Sequence, residues 1–545
     1  MKQTLPTIWD LSDLAQKHND PKFFEERTLH EKKIKAFAKK WRKDQSYLIN
    51  NQSLKKALDE YNTLSGLLDT EGSYLFLSRQ IDTGNTQLAA AEKKYIEFGQ
   101  KLSDEIRFFG LSLTKIEVKF QKKFLADKQL HDYRNFLKGI FESAKFTLSE
   151  KEERILSLKS GVSHGNWDTM VDEIFAHESS EVLTIGIGGQ RPKKKQTFTE
   201  IMSLLNSSCS RVRNSAASAV EQILEKNAFV VEKEFNSILE NKKIDDELRG
   251  YVRPDHARVL SDDISFNIVD TMAGVVTENF KIAREYYALK AKLLKKEALG
   301  YHERNLDISK NTKDYSYEES VNLVAESMRL IDPEFSDIHM DLCSTGKIDV
   351  YPKSGKRGGA FCFYHKKQNP VYIMLNHTDK VRDVSTLAHE MGHAIHGTLA
   401  KKETEINYDT PMFMAEIAST FCEEYAFDKI LENSSDKEKL GLYMQKIGDS
   451  ISTISRQIAA YNFEREIHDT FRERGYLSRD EIGHIFKKHM SAYMGSAVLQ
   501  NYGAENWWMY WSHFRSPFYV YSYASGLLIA NGMRAIVRKN PERWS

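Results

Sequence analysis

The stretch TLAHEMGHAIH, residues 386–396, contains three histidines and one glutamate within eight positions. Residues three, four or seven apart share one face of an α-helix, so His389, His393 and His396 form a single stripe. An H-E-x-x-H sequence on a helix presents two imidazoles, one turn apart, to a zinc ion and places the glutamate beside them as a general base. This spacing predicts His389 and His393 as zinc ligands and Glu390 as the general base.

His396 is a poor third ligand for the same ion. On a straight helix it lies about 10.5 Å along the axis from His389, at about 1.5 Å per residue, so one ion cannot easily take all three imidazoles. A catalytic zinc site needs three protein ligands and a fourth position for water. A second helix should therefore supply the third ligand. The alternative to a metal site is a helix whose histidines are solvated or packed in the core.

The predicted second helix is DTPMFMAEIASTFCEEYAFDKIL, residues 409–431, in which Thr410 can cap the helix and Pro411 suits its first position. Glu416 lies among small residues that would let this helix approach the histidine helix closely. A buried carboxylate in that position needs a partner such as a metal ion, which predicts Glu416 as the third ligand. The small residues are Ala415, Ala418 and Ser419 on this helix and Gly392 and Ala394 on the other.

The other two glutamates of the second helix have different expected roles. Glu424 fits a solvated face of the helix. Glu423 lies seven residues after Glu416 on the same face, so it is the candidate to orient a zinc-binding histidine. We expect His396 one turn beyond the ligands, packing and hydrogen-bonding rather than binding the ion.

A third motif, HFRSPFYVYSYASG at residues 513–526, is dense in imidazole and hydroxyl groups. Tyr519 and Tyr523 are four residues apart on one helical face, and with His513 they could donate hydrogen bonds to a developing oxyanion. The alternative is that these aromatic residues only pack in the core, where tyrosine hydroxyls still need partners.

The glycine-rich stretch GKRGGAF, residues 355–361, lies upstream of the histidine helix. Its residues Gly358, Gly359 and Ala360 would let an extended peptide approach the backbone closely, as when a peptide adds to a sheet edge. A hairpin turn explains the glycines equally well.

The elements that position these residues are predicted from periodicity. The histidine stretch is predicted to be helical because Leu387, Met391 and Ile395 recur every four residues, with Asp383 as the N-cap. Short β-favouring runs separated by glycine turns precede it, which predicts a small sheet directly upstream. These runs are CSTGKIDVYPKSGKRGGAFCFY and NPVYIMLN.

Elsewhere the chain is predicted to be mostly helical, because it has only ten prolines in 545 residues and long runs of Lys, Glu, Leu and Ala. Amphipathic spacing of Ile264, Ile268, Met272 and Val275 indicates a further helix in the middle of the chain. IGIGGQRPKKKQT, residues 185–197, interrupts the periodicity and is interpreted as a surface turn, hairpin or boundary without chemistry. We therefore divide the chain into an N-terminal helical region, 1–190, and a catalytic region, 191–545.

Composition narrows the classes of partner. Lys plus Arg number 78 and Asp plus Glu 77, so the net charge of +1 gives no indication of nucleic acid or an acidic membrane surface as a partner. The four widely spaced cysteines suggest reduced thiols, and there is no leader-like segment or long apolar run. We expect a soluble cytoplasmic protein. The sequence gives no indication of its oligomeric state.

Taken together and in order, the motifs resemble the oligoendopeptidase F branch of the thimet-oligopeptidase-like (M3) zinc metallopeptidases. The resemblance covers most of the chain. It is carried by HEMGHAIH, MAEIASTFCEE, GKRGGAFCF with NPVYIMLN, and PFYVYSYASG, with weaker support from TIWDLSDL, SRVRNSAASAV and YYALKAKLL.

The resemblance implies a mainly α fold, a two-lobed helical shell around a deep substrate channel with a small β-sheet next to the zinc-binding helix. It also implies an endopeptidase that cleaves short unstructured peptides with one Zn²⁺ per chain, a zinc-bound water as nucleophile and Glu390 as general base. By position, His389, His393 and Glu416 would be ligands. The corresponding substrate and oxyanion donors would be His513, Tyr519 and Tyr523.

The sequence departs from the family in two places and leaves two alternatives. The tyrosine spacing after His513 differs from that of the mammalian members, and related chains continue beyond NPERWS, so we expect a truncated or naturally short C-terminal end. One alternative is a peptide-binding or scaffold protein without catalysis, although Glu390 is retained. The other is a helical metallocarboxypeptidase, with Arg357 clamping the substrate's C-terminus. Zinc suits the ligand set, although cobalt or manganese could substitute.

Overall fold

The computed structural model describes residues 5–67, 69–186, 189–308 and 313–540. Helices make up most of this part of the chain, and the strands form three small sheets. The predicted mainly α fold with a small sheet before the histidine helix is therefore confirmed. None of the helices in the described ranges combines the length and apolar composition that crossing a membrane requires.

The chain forms two compact units, each assembled from separate stretches of sequence. The first unit comprises 1–150, 312–434 and 530–545, and the second comprises 151–311 and 435–529. The chain therefore passes from one unit to the other near residues 150, 311, 434 and 529, and these points do not coincide with residue 190. The division of the sequence into 1–190 and 191–545 stays a prediction.

The first unit contains the elements around the histidine motif. Its helices are α1 (Pro21–Lys43), α2 (Asn51–Ser65), α3 (Thr70–Ile81), α4 (Thr86–Leu113), α5 (Val118–Ala126), α6 (Arg134–Ser143), α14 (Tyr317–Arg329), α15 (Pro333–Ser344), α16 (Val381–Leu399) and α17 (Met412–Glu432). Its strands are β4 (Ile348–Asp349), β5 (Phe361–Phe363) and β6 (Tyr372–Met374).

The second unit contains the segment with His513 and the two tyrosines. Its helices are α7 (Glu150–Ser160), α8 (Asn166–His177), α9 (Phe198–Leu204), α10 (Ser210–Arg249), α11 (His256–Ser261), α12 (Phe266–Glu278), α13 (Lys281–Leu293), α18 (Asp436–Thr453), α19 (Ser455–Arg474) and α20 (Arg479–Met494). Its strands are β1 (Ser179–Leu183), β2 (Lys193–Thr197), β3 (Leu299–Gly300) and β7 (Val498–Leu499). Helix α21 (Tyr521–Lys539) begins in the second unit and ends in the first.

The sheet upstream of α16 has the strand order β4-β6-β5. Strand β4 runs parallel to β6, and β5 runs antiparallel to it with Phe361 opposite Met374. The central strand β6 is buried throughout, as expected for a strand covered on both faces. Strand β5 follows the glycine-rich stretch and lies at an edge of the sheet, so one side of its backbone pairs with no other strand in the described residues.

Two predicted features of the second unit need correction or completion. The stretch at residues 185–197 belongs to the antiparallel hairpin β1–β2, and residues 187–188 of it lie outside the described residues. The predicted helix is confirmed, because α12 contains Ile268, Met272 and Val275, but Ile268 and Val275 are about half exposed, at 47% and 53%. Val269, Ala273 and Val276 are buried instead. Both faces of this helix carry apolar residues, so periodicity alone could not select the inner face.

The ends of the two motif helices also differ from the predictions. Asp383 lies in the first turn of α16, and its carboxylate accepts hydrogen bonds from the backbone N–H groups of Lys380 and Thr378. Asp383 is therefore not the N-cap residue of α16; it is a residue of the first turn whose side chain bonds back to the backbone of the N-cap residue, Lys380. Helix α17 begins at Met412, and its N-cap residue is Pro411 rather than Thr410, without a side-chain hydrogen bond to the first turn.

Helices α16 and α17 make the predicted close approach. A Cβ atom added at Gly392 would lie 2.6 Å from both the carbonyl oxygen of Ala418 and the Cα atom of Ser419. These are backbone atoms, which cannot rotate away as a side chain can. Gly392 therefore sets the distance between the helix that carries His389 and His393 and the helix that carries Glu416.

We expect Gly392→Ala to destabilise the protein by about 1–3 kcal/mol, because overpacking of a tight contact outweighs the roughly 1 kcal/mol that alanine gains over glycine in a helix. Urea unfolding measures the first effect, and zinc content after dialysis measures any displacement of α17. Gly99→Ala is the control, because a Cβ atom at Gly99 in α4 meets no atom within 4 Å. Equal stability of the two variants would contradict the role of Gly392.

Candidate active site

Two histidines of α16 and one glutamate of α17 converge in the first unit. The ligand atoms of His389, His393 and Glu416 all lie within 4.8 Å of one another. Oε2 of Glu416 is 3.3 Å from Nε2 of His389 and 3.5 Å from Nε2 of His393. In the described residues, no other group of three His, Cys, Asp or Glu side chains has this arrangement.

The donor set and its electrostatics fit a zinc ion. Two imidazole nitrogens and one carboxylate oxygen form one of the ligand sets of catalytic zinc sites. Burial opposes the charge on Glu416, but hydrogen bonds from both histidines hold its pKa well below the ordinary value. Burial also opposes protonation of His389, yet its hydrogen bonds to Glu416 and Glu423 raise its pKa to about 10. A pocket that stabilises positive charge in this way also favours a metal cation, which replaces the proton.

Glu423 contacts the other ring nitrogen of His389. The distance between Nδ1 of His389 and Oε2 of Glu423 is 3.3 Å. A carboxylate at Nδ1 keeps the proton on that nitrogen and leaves Nε2 available to a metal. Since Glu423 lies two turns beyond Glu416 on α17, one helix supplies both the carboxylate among the converging atoms and the carboxylate that contacts Nδ1 of His389.

Glu390 lies beside the converging side chains without belonging to them. The residue is 7% exposed, and its carboxylate accepts a hydrogen bond from the backbone N–H of Cys362 on β5. Burial raises the pKa of Glu390 above its ordinary value, against the influence of His389 and His393. A carboxylate with a raised pKa is a stronger base than an ordinary carboxylate, which suits a group that must accept a proton and release it again.

His396 of α16 and Glu424 of α17 are two further polar side chains on the two motif helices. His396 does not belong to the converging group, and its buried Nδ1 has no hydrogen-bond partner within the described ranges. The expected solvated position of Glu424 is wrong, because Glu424 is 5% exposed and pairs with Arg534 at 2.8 Å. Arg534 lies 110 residues further along the chain, so the sequence around Glu424 contained no sign of its partner.

The glycine-rich stretch forms an exposed loop between β4 and β5. Gly359 has a φ of +82°, which explains why glycine occupies this position. Gly358 has no such φ, and a Cβ atom there would meet nothing within 4 Å, so the protein's own packing does not require glycine at Gly358. Ala360, the next residue before β5, is half-buried.

Asn376 holds this loop, a role that the sequence analysis missed. Its side-chain amide donates hydrogen bonds to the carbonyl oxygens of Arg357 and Gly359, at 2.9 and 2.7 Å. The Arg357 backbone N–H donates to the carbonyl of Gln80 at the end of α3, at 2.7 Å. Asn376 ends the NPVYIMLN motif, but nothing in its spacing indicates which carbonyls it reaches.

His513, Tyr519 and Tyr523 belong to the second unit, where they contact one another. The His513 ring centroid is 5.2 Å from that of Tyr519 and 6.1 Å from that of Tyr523, and Nδ1 of His513 is hydrogen-bonded to the Tyr519 hydroxyl. Helix α21 begins only at Tyr521, so the predicted shared helical face is wrong. A turn instead places the ring centroids of Tyr519 and Tyr523 5.9 Å apart.

The protonation states of this cluster suit hydrogen-bond donation. Burial and the nearby Arg456 lower the pKa of His513 to about 4, so the imidazole is neutral near pH 7. Burial and the neighbouring Tyr523 raise the pKa of Tyr519, so its hydroxyl keeps its proton. If this hydroxyl donates to Nδ1 of His513, the remaining proton of the ring is on Nε2 and is available to another acceptor.

Two family models match the chain. The family model described as Peptidase family M3 matches residues 203–543, and the model described as Oligopeptidase F matches residues 113–177. An oligoendopeptidase F homolog of Borreliella burgdorferi is 25% identical over 537 residues, which cover 98% of this chain and 88% of that protein. The group B oligopeptidase PepB of Streptococcus agalactiae is 24% identical, with 91% of this chain and 82% of that protein covered.

A solved structure shows the same fold at lower identity. The crystal structure of oligoendopeptidase F from Enterococcus faecium matches with a TM-score of 0.69 and 19% sequence identity. The match covers 96% of this chain and 89% of that chain. The two proteins therefore share an arrangement of helices, although most of their side chains differ.

Proposed function

The chain belongs to peptidase family M3 and is a metalloendopeptidase, and on this premise we propose that it hydrolyses short unstructured oligopeptides with one zinc ion per chain. The observation that carries the proposal is the convergence of His389, His393 and Glu416 beside Glu390. We assign the first three residues as ligands and Glu390 as the general base. We also propose a cytoplasmic location, which suits the four free cysteines.

In this proposal a bound zinc ion supplies Lewis-acid chemistry, which lowers the pKa of a water molecule to about 7 and polarises a carbonyl group. Glu390 accepts a proton from water as the water oxygen forms a bond to the scissile carbonyl carbon. When the C–N bond breaks, Glu390 releases that proton to the leaving amine. The hydrogen bond from the Cys362 backbone keeps the Glu390 carboxylate in place while its protonation changes.

We propose that Tyr523 and the hydrogen-bonded pair of His513 and Tyr519, which keeps one proton free to donate, form hydrogen bonds to the substrate and to the oxygen that gains negative charge in the transition state. The low pKa of His513 and the raised pKa of Tyr519 support this role, because neutral imidazole and phenol groups are donors. We also propose that Gly358, Gly359 and Ala360 bind the substrate backbone. The open space at Gly358 and the edge position of β5 support this assignment.

The metallocarboxypeptidase alternative required a basic residue that clamps the substrate's C-terminus. Arg357 is exposed, and its side chain donates to Oε1 of Gln80 at 3.2 Å. Family membership favours endopeptidase cleavage, and product analysis separates the two activities. An endopeptidase should cleave peptides blocked at both termini, whereas a carboxypeptidase should require a free C-terminus.

Metal analysis of the purified protein, with a quenched-fluorescent peptide assay, tests the proposed function. We expect one zinc per chain, loss of cleavage after treatment with a chelator, and recovery when zinc is added back. A metal-free protein that cleaves peptides at the same rate would disprove the proposal. A zinc-loaded protein that binds peptides without cleaving them would support the scaffold alternative.

We expect Tyr523→Phe to lower kcat more than it raises KM, because a hydrogen bond to the oxyanion strengthens only in the transition state. Loss of one oxyanion donor typically reduces kcat by about 10²- to 10³-fold. Steady-state kinetics on one peptide gives both constants. A change confined to KM would instead assign Tyr523 to substrate binding.

A further inference from the structure

The segment that carries His513 and Tyr519 is a short 3₁₀ helix (Ser512–Arg515) followed by a non-helical stretch up to α21, and the interior of the second unit holds it at two points. Arg515 forms a buried ion pair with Glu234 of α10, with nitrogen–oxygen distances of 3.0 and 2.8 Å. The second point is Phe518, whose backbone N–H donates to Oε1 of Glu464 on α19 at 2.9 Å. The first is an ordinary buried ion pair, whereas the second involves a carboxyl group without a cation.

Phe518 has an unusual backbone conformation. Its φ is +70°, in the left-handed region that costs a residue with a bulky side chain about 1–2 kcal/mol. The side chain is fully buried, and its ring lies 4.8 Å from the His468 ring and 6.2 Å from the Tyr461 ring. Since Tyr519 is the next residue, the conformation of Phe518 sets the direction in which Tyr519 leaves the interior.

Burial of the Glu464 carboxyl group without a neighbouring cation costs free energy. Glu464 is 1% exposed, and no Lys, Arg or His of the described ranges forms an ion pair with it. Its Oε2 has no hydrogen-bond partner within the same ranges, so the contact with Phe518 is the hydrogen bond of its carboxyl group. Burial raises the pKa of Glu464 well above the ordinary value, which favours the neutral acid over the carboxylate.

We infer that Glu464 is a positioning residue for the reaction: by holding the Phe518 backbone in its left-handed conformation, it orients Tyr519 toward His513. This inference rests on the proposed role of Tyr519 as a donor. Three residues one and two turns apart on α19, Tyr461, Glu464 and His468, contact Phe518 together. The two aromatic rings fix its side chain, and the carboxyl group fixes its backbone.

Three substitutions at Glu464 distinguish the effect of its hydrogen bond on kcat from the effects of its acidity and of its side-chain volume. Glu464→Gln keeps an acceptor oxygen and removes the acid, so we expect kcat within about threefold of the parent value. Glu464→Met keeps the volume and removes the acceptor, and Glu464→Asp withdraws the acceptor by one methylene. We expect both to lower kcat by about 10- to 100-fold, because a displacement of about 1 Å can cost that much, with KM changed by less than about threefold.

The control is Ile223→Ala, which removes a buried side chain from α10 in the same unit. It should lower the stability of the protein to urea without lowering kcat under conditions in which the protein is folded. Zinc content is measured for every variant. If Glu464→Met does not fold, Glu464→Asp carries the test, and a parental kcat in the folded variant would overturn the inference.

A double-mutant cycle with Tyr519→Phe gives the decisive readout, because a merely structural role would not change its coupling. If Glu464 acts through Tyr519, Glu464→Met should reduce kcat by less than about threefold further in the Tyr519→Phe background. Fully additive losses would overturn the inference and leave the role of Tyr519 intact. A parental kcat for Tyr519→Phe alone would overturn both.

Discussion

Glu390→Gln is expected to slow peptide hydrolysis by about 10²-fold or more while leaving the fold and the zinc content unchanged, because general-base catalysis typically contributes that much. Glutamine has the same shape and can still accept the hydrogen bond that the Cys362 backbone donates to Glu390. It cannot take up a proton. Since Glu390 is not one of the converging side chains, its substitution should leave metal binding to His389, His393 and Glu416 intact.

The measurement is kcat/KM on a quenched-fluorescent peptide, with zinc stoichiometry determined on the same preparation. The pH dependence adds a second readout, because the acid limb of the parent profile should include the pKa of Glu390, which burial raises above the ordinary value. That limb should be lost from the residual activity of Glu390→Gln. Near-normal turnover by a zinc-loaded variant would remove Glu390 from the mechanism.

Glu416→Ala is expected to remove zinc far more completely than His396→Ala or Glu423→Ala. The substitution leaves two imidazoles, one fewer than the three protein ligands that a catalytic zinc site needs. His396 lies outside the converging group, so its loss should leave the stoichiometry near one. Glu423 is 3.3 Å from Nδ1 of His389, and its loss should weaken zinc binding by about 10- to 100-fold.

The three variants are dialysed together against a weak chelator, and zinc per chain is then measured. Full zinc in Glu416→Ala combined with loss from His396→Ala would show that the ligand assignment is wrong. Circular dichroism before and after dialysis distinguishes loss of metal from loss of fold. Glu416 also accepts a hydrogen bond from Ser419 at 3.0 Å, so Ser419→Ala tests whether that contact alone affects the metal.

The local pattern of the sequence determined much of the candidate site. Residues four apart on a helix must share a face, so the side chains of His389 and His393 were certain to be neighbours if the segment was helical. The small residues around Glu416 predicted a close helix contact, and Gly392 lies against the backbone of Ala418 and Ser419. The small sheet before α16 was likewise predicted from short β-favouring runs between glycine turns. The roles of these residues in binding and catalysis stay predictions.

Pairings between distant parts of the chain were decided only by the tertiary structure. Arg534 forms a buried ion pair with Glu424, which lies 110 residues earlier in the chain. The buried face of α12 is the one that contains Val269 rather than Ile268. Glu464 and Phe518 are 54 residues apart in the chain, and their hydrogen bond is likewise visible only in the tertiary structure. Bond geometry fixes the spacing of side chains along a helix, so a local pattern is visible in the sequence. Which face is buried and which partner it meets depend on how separate segments pack, and spacing along the chain does not encode that.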